Sequence, residues 1–106
     1  MTAARREIRF AQSAQDDLDD IVAWYESQLA PDAGVRLVSS IIERVEQLGS
    51  FPESGKVVPE FDEPHLRELQ LSPFRILYRT DDSNVVNVVR VWRSERLMGP
   101  VPGGNA

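Results

Sequence analysis

Two apolar stripes with helical spacing meet at Pro31-Asp32, and this joint constrains the fold of the 106-residue chain more than any other feature. Leu18, Ile21, Val22, Tyr25 and Leu29 recur at intervals of 3, 4 and 7, which places them on one face of a helix. Beyond the proline, Val38, Ile41, Val45 and Leu48 step by 3, 4 and 3, and Leu37 and Ile42 widen the stripe. Gly49 is a natural stop, with Pro52 just past it. Two helices joined this tightly form an antiparallel hairpin. The stripes are too short for a free coiled coil, so the hairpin must bury them against another layer, and a sheet is the expected one.

The first helix opens on polar residues. Ser13 with Asp16 three positions on has the form of a capping box. Asp16, Asp17, Asp19 and Asp20 then fall in the first turns, where the helix dipole favours negative charge. A solvated helix start explains this cluster better than a metal site.

Strand patterns flank the hairpin. Residues 5–11 alternate, with Ile8 and Phe10 on one side and Glu7 and Arg9 on the other. Residues 52–65 hold three prolines and a glycine and read as a loop. Three strand candidates follow at 66–72, 74–80 and 84–93, separated by Ser72-Pro73 and by the turn Asp81-Asp82-Ser83-Asn84. Such short links imply antiparallel neighbours, and the valine-rich last strand suits a central place. Alternation puts Phe74, Ile76 and Tyr78 opposite Arg75, Leu77 and Arg79. It puts Val86, Val88, Arg90 and Trp92 opposite Val85, Asn87, Val89, Val91 and Arg93. The expected fold is α+β: an N-terminal strand, the helical hairpin, then three antiparallel strands in a small curved sheet. Residues 1–98 form one expected domain and 99–106 a Pro/Gly-rich tail, frayed in isolation.

The chain has no cysteine, which excludes disulfides and thiolate metal sites. No apolar run approaches the roughly 20 residues of a membrane helix, and the N-terminus lacks the apolar core of a signal peptide. A cytoplasmic protein with no membrane partner is expected. The net charge of −5 disfavours coating nucleic acid by electrostatics alone. Residues 1–55 hold 5 basic and 10 acidic groups, whereas residues 56–106 hold 7 of each, so the whole excess lies in the first half.

Between His65 and Met98 stand six arginines, Arg67, Arg75, Arg79, Arg90, Arg93 and Arg96, with no lysine and four acids. A guanidinium offers a planar fork to carboxylate or phosphate, so arginines gathered on one end or face of the sheet suit anion recognition. Ordinary ion pairing, for example of Arg67 or Arg75 with Glu68, accounts for the same residues at least as well. The single histidine, His65, sits in a loop with no nucleophile or ligand partner placed beside it, and Ser94 has no recognisable base. No nucleotide-binding or zinc-hydrolase motif occurs, so no cofactor or metal is expected. Trp24 and Trp92 read as core or partner-contact aromatics, and Tyr78 as packing.

These pieces have a familiar order. Pro52-Glu53-Ser54-Gly55-Lys56-Val57-Val58-Pro59-Glu60 is followed by Leu66-Arg67-Glu68-Leu69, by Phe74-Arg75-Ile76-Leu77-Tyr78-Arg79, and by Val86 through Arg96. Over about residues 7–98 the chain resembles the RelE/ParE superfamily of bacterial type II toxins. The resemblance implies a small α+β toxin held silent by a cognate antitoxin. RelE-like members cleave mRNA in the ribosomal A site, whereas ParE-like members poison DNA gyrase. On the nuclease alternative, Arg67, Arg75 and Arg93 or Arg96 would hold the scissile phosphate.

The departures favour the ParE side. Leu66-Arg67-Glu68-Leu69-Gln70 lacks the lysine pair of the RelE type. Arg93 stands where many relatives carry histidine, and no tyrosine or histidine follows Arg96. Arginine is a poor general base, because its pKa lies far above neutral. Glu60, Glu68 and His65 are the groups left to substitute. The resemblance therefore implies a ParE-like toxin that acts by binding, with gyrase as target and no sequence-specific nucleic-acid contact. The ribosome is the alternative target, and a non-toxic regulatory partner of an antitoxin is a third reading. Arg67, Arg75, Arg79, Arg90, Trp92, Arg93 and Arg96 are the expected antitoxin- or target-binding set. An acidic, apolar antitoxin segment is expected across them and the hairpin.

Overall fold

The computed structural model describes residues 5–80, 84–94 and 101. Strand β1 (Glu7–Phe10) leads into helices α1 (Gln12–Ser27) and α2 (Pro31–Glu46), and α2 ends in a 3-10 turn at Gln47–Gly49. Strands β2 (Lys56–Val57), β3 (Leu66–Leu71), β4 (Phe74–Thr80) and β5 (Val85–Arg93) follow. They form one five-stranded sheet in the order β1-β5-β4-β3-β2. β1 lies parallel to β5, and the other pairings are antiparallel. The α+β architecture is thus as expected, and β5 does hold a central place. The hairpin turn at Asp81-Asp82-Ser83 lies outside the described residues.

The helical hairpin covers one face of the sheet. Ile41, Val45 and Leu48 bury their side chains against Leu69, Phe74, Ile76, Tyr78, Val86, Val88 and Val91. Each such burial is worth roughly 1.5–3 kcal/mol, so this layer supplies most of the folding drive. At the crossing of the helices Gly34 allows a close approach: a Cβ there would lie 3.0 Å from the Tyr25 Cβ, so that side chain would have to shift by a few tenths of an ångström. A smaller cluster of Val58, Leu66, Leu77, Val89 and Trp92 occupies the other face, with Phe61 and Val101 packed on it. Val101 is therefore half-buried where a frayed tail was expected. The rest of that tail lies outside the described residues.

Four local expectations need correction. The helix start is not a capping box: the N-cap is Ala11, with no side-chain cap. The Ala11 N–H continues the β1–β5 ladder by donating to the Val88 carbonyl at 2.9 Å, so the chain passes directly from strand to helix. Ser13 then faces the sheet and donates to the Val89 carbonyl at 2.6 Å. The first turn holds no acid, and Asp17 is buried rather than solvated.

Leu29 does not extend the apolar face of α1. It lies past the helix end at φ 60°, 92% exposed, in the left-handed conformation that closes the hairpin. The Ala30 N–H returns to the Tyr25 carbonyl at 2.8 Å, and Pro31 opens α2.

Within the 52–65 loop, β2 adds a two-residue edge strand through Lys56↔Glu68 and Val57↔Arg67. Two residues are too few for alternation to register.

The faces of β5 also differ from strict alternation. Leu77 pairs with Arg90 but Tyr78 pairs with Val88, a bulge that gives β5 one extra residue. Val86, Val88 and Val91 consequently share the helix side, while Val89 and Trp92 share the other.

Candidate functional site

The arginines do not form one patch. Arg67 pairs across the sheet with Tyr78 and so lies on the helix side, whereas Arg75 and Arg79 face the other way with Gln70 and Leu66. Alternation along β3 and β4, not proximity in sequence, separates them. Arg67 donates to the carbonyls of Gly55 at 2.7 Å and Glu53 at 3.4 Å. The Gly55 N–H in turn donates to the Tyr78 hydroxyl at 2.9 Å. A Cβ at Gly55 would fall 2.5 Å from the Glu68 carbonyl oxygen and 2.6 Å from the Tyr78 hydroxyl, so only glycine fits. Burial pushes the Tyr78 hydroxyl pKa upward, in keeping with a packing role.

On the far face, residues 58–63 lie over the sheet and bring carboxylates to the arginines. Arg75 forks to Glu60 at 2.9 and 3.0 Å and also donates to both oxygens of Glu68, one at 3.1 Å. The Glu68 side chain is wholly buried, while that of Glu60 is 44% exposed. Hydrogen bonding to Arg75 holds the Glu60 carboxyl below its ordinary range, and the two carboxylates raise the pKa of Arg75. Arg79 is similarly paired with Glu63. Ion pairing, one of the two readings of these arginines, thus holds for Arg75 with Glu68. The contribution of the loop acids Glu60 and Glu63 was not legible, since alternation says nothing about how a loop folds back.

At the opposite end of the sheet, Arg90 binds Asp17 through two contacts of 2.8 Å, and the same carboxylate accepts the Val91 N–H at 2.9 Å. β1 covers the β5 edge only as far as Val88, so α1 side chains satisfy the edge beyond it. Arg90 also lies over Trp92, 4.7 Å from its centroid, and Trp92 is only 4% exposed. Trp92 is therefore part of the core on that face of the sheet. His65 is exposed with its carbonyl taken by the Thr80 N–H, and Ser94 is likewise exposed. Arg96 lies outside the described residues.

Arg93 belongs to a feature the sequence did not disclose. Its guanidinium sits 4.6 Å from the Trp24 ring centroid, 5.6 Å from Phe74 and 5.9 Å from Tyr25, and it donates to the Tyr25 hydroxyl at 3.2 Å. These groups line a groove of about 830 Å³ between α1 and the sheet. Ile21 and Val91 add apolar wall, and Asp17 and Asp20 also line it. Trp24 remains 47% exposed, its ring set edge-on to Tyr25 at 4.8 Å. Proximity of 24, 74 and 93 depends on helix-on-sheet packing, so no spacing in the chain announces it. Among the described residues no set of three or more potential ligands gathers for a metal, and no helix is long and apolar enough to cross a membrane.

Known proteins share this architecture. The chromosomal ParDE toxin–antitoxin system from P. aeruginosa contains a chain similar at TM-score 0.73 and 25% identity, covering 88% of this chain and 100% of its own. The RelBE2 toxin–antitoxin complex from Mycobacterium tuberculosis contains one at TM-score 0.65 and 19% identity, covering 90% and 98%, a likeness of fold. No curated protein matches the sequence. Residues 8–98 match the family described as the ParE toxin of the type II toxin–antitoxin system parDE. The fold and that match agree, and the chain belongs to the ParE toxin family of type II toxin–antitoxin systems.

Proposed function

We propose that this ParE-type toxin acts in the cytoplasm by binding DNA gyrase, without nuclease chemistry, and that a cognate antitoxin silences it by covering the groove between α1 and the sheet. The observation that carries the reading is the state of Arg75. Its fork is filled by Glu60 and by the buried Glu68, which leaves it badly placed to grip a scissile phosphate. Arg79 is tied to Glu63, and Arg67 faces the other side of the sheet. Convergent cations for phosphoryl transfer are therefore not assembled among the described residues. A binding toxin needs an accessible apolar surface instead, and the groove with its exposed Trp24 supplies one.

The test is direct. Purified toxin is incubated with gyrase and plasmid DNA, and separately with ribosomes programmed with mRNA. Trapped gyrase–DNA cleavage complexes are expected, with mRNA intact. Cleaved mRNA without gyrase complexes would overturn the proposal.

A further inference from the structure

We infer that Arg93 is a positioning residue of the α1–sheet groove: its guanidinium fills a cage of Trp24, Tyr25 and Phe74 and holds the Trp24 indole in the attitude that an antitoxin meets. This deepens the proposed function and rests on its reading that an antitoxin covers the groove. Placed among the sheet arginines by sequence, Arg93 reads as a fork for an anion. The geometry gives it a different task, exerted through a neighbouring ring.

Two element ends meet at this cage. Trp24 and Tyr25 lie in the last turn of α1, which stops at Ser27. Arg93 closes β5 directly opposite Phe74, the first residue of β4. Its backbone is held there by the ladder and by the Ser94 N–H, which donates to the Pro73 carbonyl at 2.8 Å. Phe74 is 1% exposed and belongs to the core, so it gives the guanidinium a fixed wall. The guanidinium also donates to the Tyr25 hydroxyl at 3.2 Å, which sets the rotation of the planar group. Strand end, core ring and helix hydroxyl thus orient it before any partner arrives.

Trp24 is the member that needs holding. It is 47% exposed, and an indole on a helix surface would otherwise sample several rotamers. Arg93 lies 4.6 Å from its ring centroid, and Tyr25 meets it edge-on at 4.8 Å. The ring is thus engaged by two neighbours while it still lines the groove. A large aromatic side chain fixed at a groove is the type of anchor that dominates interface energy. An anchor ordered in advance loses less freedom on binding. Arginine suits this duty because its planar group stacks on a ring and donates in its own plane at once, which an ammonium cannot do.

Trp24 fluorescence and a double-mutant cycle test this on the full chain, with the full-length cognate antitoxin as partner. Trp92 is 4% exposed, so acrylamide quenching reports chiefly on Trp24. In the free protein Arg93→Ala is expected to raise that quenching about twofold and to lower the fluorescence anisotropy, with Arg93→Lys in between. Unchanged quenching and anisotropy in both variants overturn the inference. In calorimetric titrations R93A should weaken antitoxin binding about fivefold, but less than about twofold when Trp24→Ala is already present. An equally large loss on the W24A background would mean that Arg93 meets the antitoxin directly, and it overturns the inference too. Should R93A not fold, R93K carries both arms, and a lysine that matches wild type in quenching and affinity overturns it. Protection of Trp24 from acrylamide in the wild-type complex is expected. Trp24 left quenchable there overturns the reading that an antitoxin covers the groove, and the free-protein arm still decides whether Arg93 holds the indole.

Discussion

Asp17 illustrates how much one side chain carries here. It lies on α1 yet binds the Arg90 guanidinium through both oxygens and accepts the Val91 N–H on β5, beyond the point where β1 covers that edge. Its side chain is buried and that of Arg90 largely so, and removing one member of such a pair leaves an uncompensated charge. Asp17→Ala is expected to destabilise the fold by about 3 kcal/mol in urea titration, with the transition still two-state. A loss no larger than that of a surface substitution would show that Arg90 is satisfied without Asp17. In sequence, Asp17 is one of four acids around a helix start and cannot be told from Asp16 or Asp20. Only the packing of α1 against β5 singles it out.

At the scale of elements, the 58–63 segment behaves as a strap clipped down by carboxylate–arginine pairs. The Glu60 pair has a pH signature whose sign follows from linkage. The folded carboxyl titrates below its ordinary value of 4.5, because Arg75 hydrogen-bonds its charged form. Its stabilisation is complete above the unfolded pKa and is lost as pH falls from about 4.5 through the lower folded value. Wild type should therefore exceed Glu60→Gln in melting temperature by a constant margin above about pH 5.5, a gap that narrows as pH drops below 4.5. A gap unchanged down to pH 3 would mean that the pair does not depend on the Glu60 charge. The helical hairpin shows the other side of element-level reasoning. Its two stripes and the Pro31 joint predict it correctly, but Leu29 completes the apolar spacing while sitting in the turn. Periodicity records spacing, and the chain left the helix one residue before Leu29.

The whole molecule is a sheet with protected centre and short edges. β5 and β4 lie inside it, while β1 and the two-residue β2 form its borders. Amide exchange should follow this order: Ile76, Leu77 and Val88 are expected to be among the slowest, and Lys56 and Val57 to exchange through local opening at far lower free energy. Equal protection of β2 and β4 would indicate that the 58–63 strap locks the edge into the cooperative unit. Charge is distributed at this scale as well. The net −5 resides in the N-terminal half, and after folding Arg75, Arg79 and Arg90 are each set against a carboxylate of the chain, while Arg93 brings a positive charge into the groove beside Asp20.

The sequence alone determined the order and kind of the main elements, because helical and strand periodicities are local and Pro31, Gly49 and Ser72-Pro73 punctuate them. It also determined the family, through short motifs whose order spans the domain. Tertiary structure alone decided the parallel docking of β1 on β5, the bulge that turns Trp92 inward, the carboxylate assigned to each arginine, and the groove joining Trp24, Phe74 and Arg93. The reason is common to all four. Each depends on contacts between residues far apart in the chain, where alternation and spacing carry no distance information and packing sets which groups meet.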